Sequence, residues 1–319
     1  KHNHFGLRGI ISRFTPYVND SSFKDRETVE AWVKLMPSRV GYSHVKHYKK
    51  LRLHYGYNHA GVAFSIKIGE EMVFSDSLKA VDGSRVFEYV FESTPAEITL
   101  QFKGKDSPDF YAISLESTSG IVMDNVAMRG SSGTIFNKIS GSQLRYQYGK
   151  EPISLVILQY GGNTVPYIDS QKKADDYGRW FGAQIASIKS MLPNADVVLI
   201  GPSDMAIKEK TEYVTYPFLP EVRNALKKAA FDNGAAFWDI YEVMGGKNSM
   251  PSWVSADPPL AGPDYIHFTP KGAKRIAELF YKALYSDFTK FEAAQKAAKT
   301  KAAIKDSNQT KKDTSQHVD

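Results

Sequence analysis

Residues 153–160 read Ile-Ser-Leu-Val-Ile-Leu-Gln-Tyr and run straight into Gly161-Gly162-Asn163-Thr164. A continuous apolar run of this length, closed by glycine, marks a strand buried on both faces rather than a half-exposed one. The segments on either side keep the same rhythm. Ile121–Met128 is apolar and strand-like, and Ser132–Ile139 is helical in pattern. A helix is predicted over Ser170–Met191, with Trp180, Phe181, Ile185 and Ile188 on one face. Asp196–Gly201 is a second buried strand, followed by helix Leu219–Asn233, strand Ala235–Ile240 and a closing helix from Lys271 to about Tyr285. Continuous apolar strands alternating with amphipathic helices imply an α/β fold, a parallel sheet with helices on both faces.

In such sheets ligands bind beyond the carboxyl ends of the strands, so the residues just after each strand carry the functional signal. After residues 121–128 come Arg129-Gly130-Ser131-Ser132-Gly133 at a helix start, where the backbone N–H of Gly130 is free to face an anion. After residues 153–160 comes Asn163, an amide donor beside two glycines. Residues 263–272, Pro-Asp-Tyr-Ile-His-Phe-Thr-Pro-Lys-Gly, place Asp264 three residues before His267. Thr269 and Pro270 then read as N-cap and first helical position. An acid beside an imidazole orients the ring and makes it a general base toward a nucleophile elsewhere. A backbone N–H, an amide and an Asp–His pair at three strand ends make an oxyanion hole beside a base. The long loop Gly245–Gly262 reaches the same edge, and its Trp253 is either a substrate-stacking candidate or a packing residue of the loop.

The first third follows a different period. Val29–Leu35 is a short amphipathic piece. Beyond about Val45, apolar residues alternate: Leu51, Leu53 and Tyr55; Val62, Phe64, Ile66 and Ile68; Phe87, Tyr89 and Phe91; Ile98, Leu100 and Phe102; Tyr111, Ile113 and Leu115. Short strands at this spacing, separated by turn residues, predict an antiparallel β-sandwich over residues 41–120. Its aromatics, among them Tyr48, Tyr55, Tyr57, Phe87 and Tyr89, read as core before they read as sugar-stacking residues. Ser75-Asp76-Ser77-Leu78 is similar in letters to a serine-nucleophile block, but it lacks the glycine and the strand-to-helix context of a nucleophile elbow, and reads as a turn. His44, His47, His54 and His59 match no metal-ligand spacing and read as strand-surface residues, so no metal and no cofactor is expected.

Cysteine is absent, which excludes disulfides and thiol catalysis. No apolar run approaches the length of a membrane span. The chain opens Lys1-His2-Asn3-His4 with no signal peptide, so a processed form or a fragment is expected. The formal net charge of +6 suits an anionic partner, although no nucleic-acid motif accompanies it. Residues 291–319 form a Lys/Ala-rich tail, helical at first and then disordered in composition. Residues 1–40 read as a connector and residues 121–290 as the α/β domain.

Asn125–Gly130, Gly161-Gly162-Asn163 and Asp264-Tyr-Ile-His267 together resemble three sequence blocks of the SGNH/GDSL hydrolases, over roughly residues 121–285. The resemblance implies a flavodoxin-like domain in which the Gly130 N–H and Asn163 stabilise the oxyanion, His267 is the base and Asp264 orients it. The β-module ahead of the second block is similar to the carbohydrate-binding-like insertion of bacterial peptidoglycan O-acetylesterases. In that group a Gly-Asp-Ser block on the first strand precedes the module. Residues 1–40 contain none, so the nucleophile is expected upstream of residue 1, either contiguous or on a separate N-terminal fragment. The expected substrate is an acetylated polysaccharide, peptidoglycan first, in the periplasm or cell envelope. The alternatives are a non-catalytic glycan-binding pseudoesterase and an SGNH esterase or lipase of other substrate, such as acetylxylan.

Overall fold

The computed structural model describes residues 24, 27–37, 43–126, 130–134, 136, 141, 142, 145 and 153–314. Arg129 and half of the expected helix Ser132–Ile139 lie outside the described residues, as do nearly all of residues 1–26 and all of 315–319. The chain divides into two compact units, residues 1–156 with 183–196, and residues 157–182 with 197–319.

The first unit holds seven strands in two antiparallel sheets. One comprises β1 (Val29–Leu35), β6 (Ile98–Gly104), β3 (Val62–Ile68) and β4 (Glu71–Leu78), in that order. The other places β2 (Lys50–Asn58) between β5 (Val81–Val90) and β7 (Asp109–Glu116). Leu51, Leu53 and Tyr55 of the second sheet share one core with Phe64, Ile66, Ile98 and Leu100 of the first, which makes the pair a sandwich. Phe64 illustrates the packing. Its ring meets Phe87 of the opposite sheet edge-on at 5.0 Å and stacks on Phe102 at 5.2 Å. Tyr55, Phe87 and Tyr89 belong to this core or pack against it, as their period-two spacing predicts, and Tyr48 joins them; Tyr57, with φ +53°, is half-buried.

Three details depart from the sequence reading. The amphipathic piece Val29–Leu35 is a strand, because its alternate residues Val33 and Leu35 face the core in register with Leu100 and Ile98. Ser75-Asp76-Ser77-Leu78 is the end of β4 rather than a turn, and it leads into no helix. His54, expected on a strand surface, is buried, since β2 is the central strand of its sheet.

The parallel sheet has the order β12 (Ala236–Trp238), β9 (Asp196–Ile200), β8 (Leu155–Gln159). Ala236 pairs with Val198 and Trp238 with Ile200, in parallel. Asp196 N–H donates to Ser154 O, and Tyr160 N–H to Ile200 O, so β8 runs the same way. The helices are α1 (Gln171–Met191), α2 (Leu219–Asp232), α3 (Ile240–Met244), α4 (Met250–Val254) and α5 (Pro270–Thr314). The α/β reading with a parallel sheet holds. On α1 the buried face is Tyr177, Phe181, Ile185 and Ile188, at helical spacing. Trp180, expected on that face, lies a turn's fraction off it and is half exposed. Ile121–Val126 forms no strand, and Ile121 and Met123 are exposed. A hairpin that the sequence did not reveal, β10 (Ala206–Glu209) and β11 (Glu212–Thr215), follows β9. Helix α5 runs on past Tyr285, unbroken through the tail to Thr314. No helix among the described residues is long and apolar enough to cross a membrane.

Candidate active site

Asp264 and His267 sit in the loop between α4 and α5. The loop is closed on itself: Gly262 N–H donates to His267 O at 2.8 Å, and Tyr265 N–H donates to Gly262 O at 3.0 Å. Any Cβ at position 262 would press against Asp264 Oδ1 at 3.3 Å, so a glycine there lets the carboxylate approach. Thr269 caps the start of α5, its hydroxyl accepting from Gly272 N–H at 3.2 Å, as its place before Pro270 predicts. Loop and helix share a core with Met250, Trp253, Ala261 and Ile276.

Within the loop the two side chains are brought into contact. Asp264 Oδ2 lies 2.7 Å from His267 Nδ1. The other oxygen, Oδ1, accepts the backbone N–H groups of Ile266 at 3.0 Å and His267 at 3.1 Å. Partial burial pushes the Asp264 carboxyl up, but the His267 ring and the two N–H donors outweigh it and hold the group below the ordinary aspartate range. The His267 side chain is 79% exposed. A carboxylate on Nδ1 selects the tautomer that carries its proton there, which leaves Nε2 as a free lone pair facing outward. This is the geometry of a general base with its orienting acid. As an exposed contact it contributes little to stability.

Asn163 follows β8 in a tight turn made by Gly161, whose carbonyl accepts Thr164 N–H at 2.9 Å and Val165 N–H at 3.1 Å. Gly161 has φ +115° and meets Leu226 and Pro202 at 3.0 Å from where a Cβ would be, so only glycine fits. The turn leaves the Asn163 side chain exposed. Gly130, in the first unit, has φ +71°, and a Cβ there would meet none of the described residues within 4 Å. Trp253 is buried, donates its indole N–H to Met244 O at 3.0 Å and packs on Phe268 at 5.4 Å. These contacts make it a packing residue of the loop, one of the two roles the sequence left open.

Two features escaped sequence reasoning. Asp204, fully buried, accepts from Thr215 Oγ1 at 2.8 Å, Met250 N–H at 2.7 Å and Ser249 Oγ at 3.4 Å, tying the hairpin base to the loop. It lies just beyond β9, so its strand-end position was the available signal. Tyr213 of the hairpin stacks flat on Tyr265, which lies between Asp264 and His267; the rings are 3.5 Å apart and 6° from parallel. No local pattern announces a contact across so many residues.

The chain belongs to the GDSL-like lipase/acylhydrolase family, whose model matches residues 99–275. Among solved structures it is similar to one described as "Peptidoglycan O-acetylesterase in action, 5 min", with 20% identity, 82% of this chain and 77% of that chain covered, and a TM-score of 0.58. A weaker likeness, at a TM-score of 0.30 and 10% identity, covers 82% of this chain and 93% of a family two carbohydrate esterase from Clostridium thermocellum in complex with cellohexaose. The first likeness establishes the shared fold. A search of curated proteins found no match.

Proposed function

We propose that the chain supplies the base and oxyanion donors of a serine esterase that removes O-acetyl groups from a polysaccharide, O-acetylated peptidoglycan first. The observation that carries the reading is the 2.7 Å contact between Asp264 Oδ2 and His267 Nδ1 beneath an exposed ring. In this reading a serine Oγ attacks the acetyl carbonyl while His267 Nε2 takes its proton. The developing oxyanion accepts from the Gly130 N–H and the Asn163 side-chain amide. Collapse of the tetrahedral intermediate expels the sugar oxygen, to which His267 returns the proton. A water molecule, deprotonated in turn by His267, then hydrolyses the acetyl-enzyme. Acetate and the free sugar hydroxyl are the products.

The serine is assigned to a strand ahead of residue 1. Support comes from β8: among the described residues it pairs only with β9, and Leu155 and Ile157 are each 42% exposed, although strands of a parallel sheet are normally covered on both faces. A cell-envelope location accompanies the proposed substrate, and the sandwich is assigned to glycan binding. The substrate assignment draws on the fold shared with the peptidoglycan O-acetylesterase structure and on the family to which the chain belongs.

The test is acetate release from O-acetylated peptidoglycan by the protein carrying its upstream segment, with a His267→Ala control. Release that disappears in the control supports the assignment. Binding to the glycan with no release in either protein would favour a non-catalytic glycan-binding role.

A further inference from the structure

The contact between Asp264 and His267 depends on a chain reversal at Tyr265. This residue has φ +59°, in the left-handed region where the Cβ of an ordinary residue crowds the backbone. The reversal turns the Ile266 and His267 N–H groups back onto Asp264 Oδ1 and so sets Oδ2 against the imidazole. A relaxed φ at residue 265 would swing both N–H groups away, and the carboxylate would lose its hold on the ring.

What opposes that relaxation comes mainly from the β10–β11 hairpin. Ala206 N–H donates to Tyr265 O at 2.9 Å. The Tyr213 ring lies on the Tyr265 ring at 3.5 Å and 6°. Ring quadrupoles favour offset or edge-on arrangements over such direct overlap, so ring electrostatics do not explain the pairing. The backbone on both sides imposes it. The hairpin can impose it because its base is fixed. Thr215 Oγ1 donates to the buried Asp204, and Thr215 exchanges bonds with Asn248, donating its N–H at 2.8 Å and accepting on Oγ1 at 2.7 Å.

We propose that Tyr213 is a positioning residue: its ring pins Tyr265 in the left-handed conformation and thereby holds His267 in the Nδ1–H tautomer. The inference rests on the reading of His267 as the base, and assigns the hairpin a part in preparing it. Tyr213 acts through Tyr265 and Asp264 and does not touch the reacting atoms. Its hydroxyl plays no part, because the contact is made by the ring face.

The experiment uses the chain itself and reads the His267 tautomer from the ring ¹⁵N shifts at a pH where the imidazole is neutral. Four proteins are compared: the unaltered chain, Tyr213→Phe, Tyr213→Ala and Asp264→Asn. The expected result is the Nδ1–H tautomer in the unaltered chain and in Tyr213→Phe, and its loss in Tyr213→Ala and Asp264→Asn. Retention in Tyr213→Ala with loss in Asp264→Asn would overturn the role of Tyr213 and leave the acid–base pair standing. Retention in Asp264→Asn would overturn the pair itself, and the present inference with it. If Tyr213→Ala does not fold by circular dichroism, Tyr213→Leu takes its place, keeping the bulk while removing the flat face.

Discussion

In the sandwich, β3 sends Phe64 and Ile66 into a closed core and leaves Ala63 and Lys67 on its other face, so this strand has one dry face and one wetter one. In the parallel sheet, β9 buries Val197, Val198, Leu199 and Ile200 in succession, while its neighbour β8 leaves Leu155 and Ile157 substantially exposed and buries Leu158. The difference separates two kinds of stability. The sandwich satisfies its apolar pattern with partners among the described residues. The parallel sheet carries an apolar pattern on β8 that those residues satisfy on one side only. The Asp264–His267 pair lies in the second unit, exposed and contributing little to folding, and the deep aromatic packing lies in the first.

The sharpest test of that division is His267→Ala in the protein extended by the proposed upstream segment. Acetate release is expected to vanish, with unfolding of the sandwich unchanged in a denaturant titration; activity that survives would remove His267 from the mechanism. The opposite behaviour is expected of Phe64→Ala, which leaves a cavity among three other rings and should cost about 3–5 kcal/mol in stability. A loss below about 1 kcal/mol would mean that the sandwich core is not packed as described. Asn163→Ala is expected to lower kcat roughly 100-fold, about 3 kcal/mol of transition-state stabilisation, with little change in stability. An unchanged kcat would assign the oxyanion to other donors.

Smaller effects probe β8. Leu158→Ala should cost about 2–5 kcal/mol and Leu155→Ala well under that, following their burial. In the protein carrying the upstream segment, the cost of Leu155→Ala should rise toward that of Leu158→Ala if a strand covers this edge. Equal values with and without the segment would exclude that covering. The smallest effect concerns acid. Because the Asp264 carboxyl titrates below its ordinary value in the folded chain, its contribution is present above the unfolded aspartate range and fades as pH falls through the lower, folded value. Asp264→Asn should therefore lower stability slightly near neutral pH, as expected for an exposed pair, leave it unchanged in strong acid, and so remove this acid-side slope.

Much of this was legible before any coordinates. The apolar runs at 153–160 and 196–201 pointed to parallel strands because neither alternates apolar with polar residues, although only β9 is buried along most of its length. Thr269-Pro270 placed the start of α5, since capping is decided by residues that are adjacent in the chain. Asp264 and His267 were legible for the same reason: three residues and one loop bring them together. Reading went astray where the partner is distant. Val29–Leu35 became a strand through pairing with β6, far along the chain. His54 was buried by its central place in a sheet.

The sequence alone determined the α/β alternation, the sandwich ahead of it, and the acid–imidazole pair, because each rests on periodicity or on neighbours a few residues apart. Tertiary structure alone decided the β10–β11 hairpin's grip on Tyr265, the buried Asp204 that anchors it, and the one-sided pairing of β8 among the described residues. Those features arise from contacts between residues far apart in the chain, which are fixed only when the segments pack, and no local pattern encodes them.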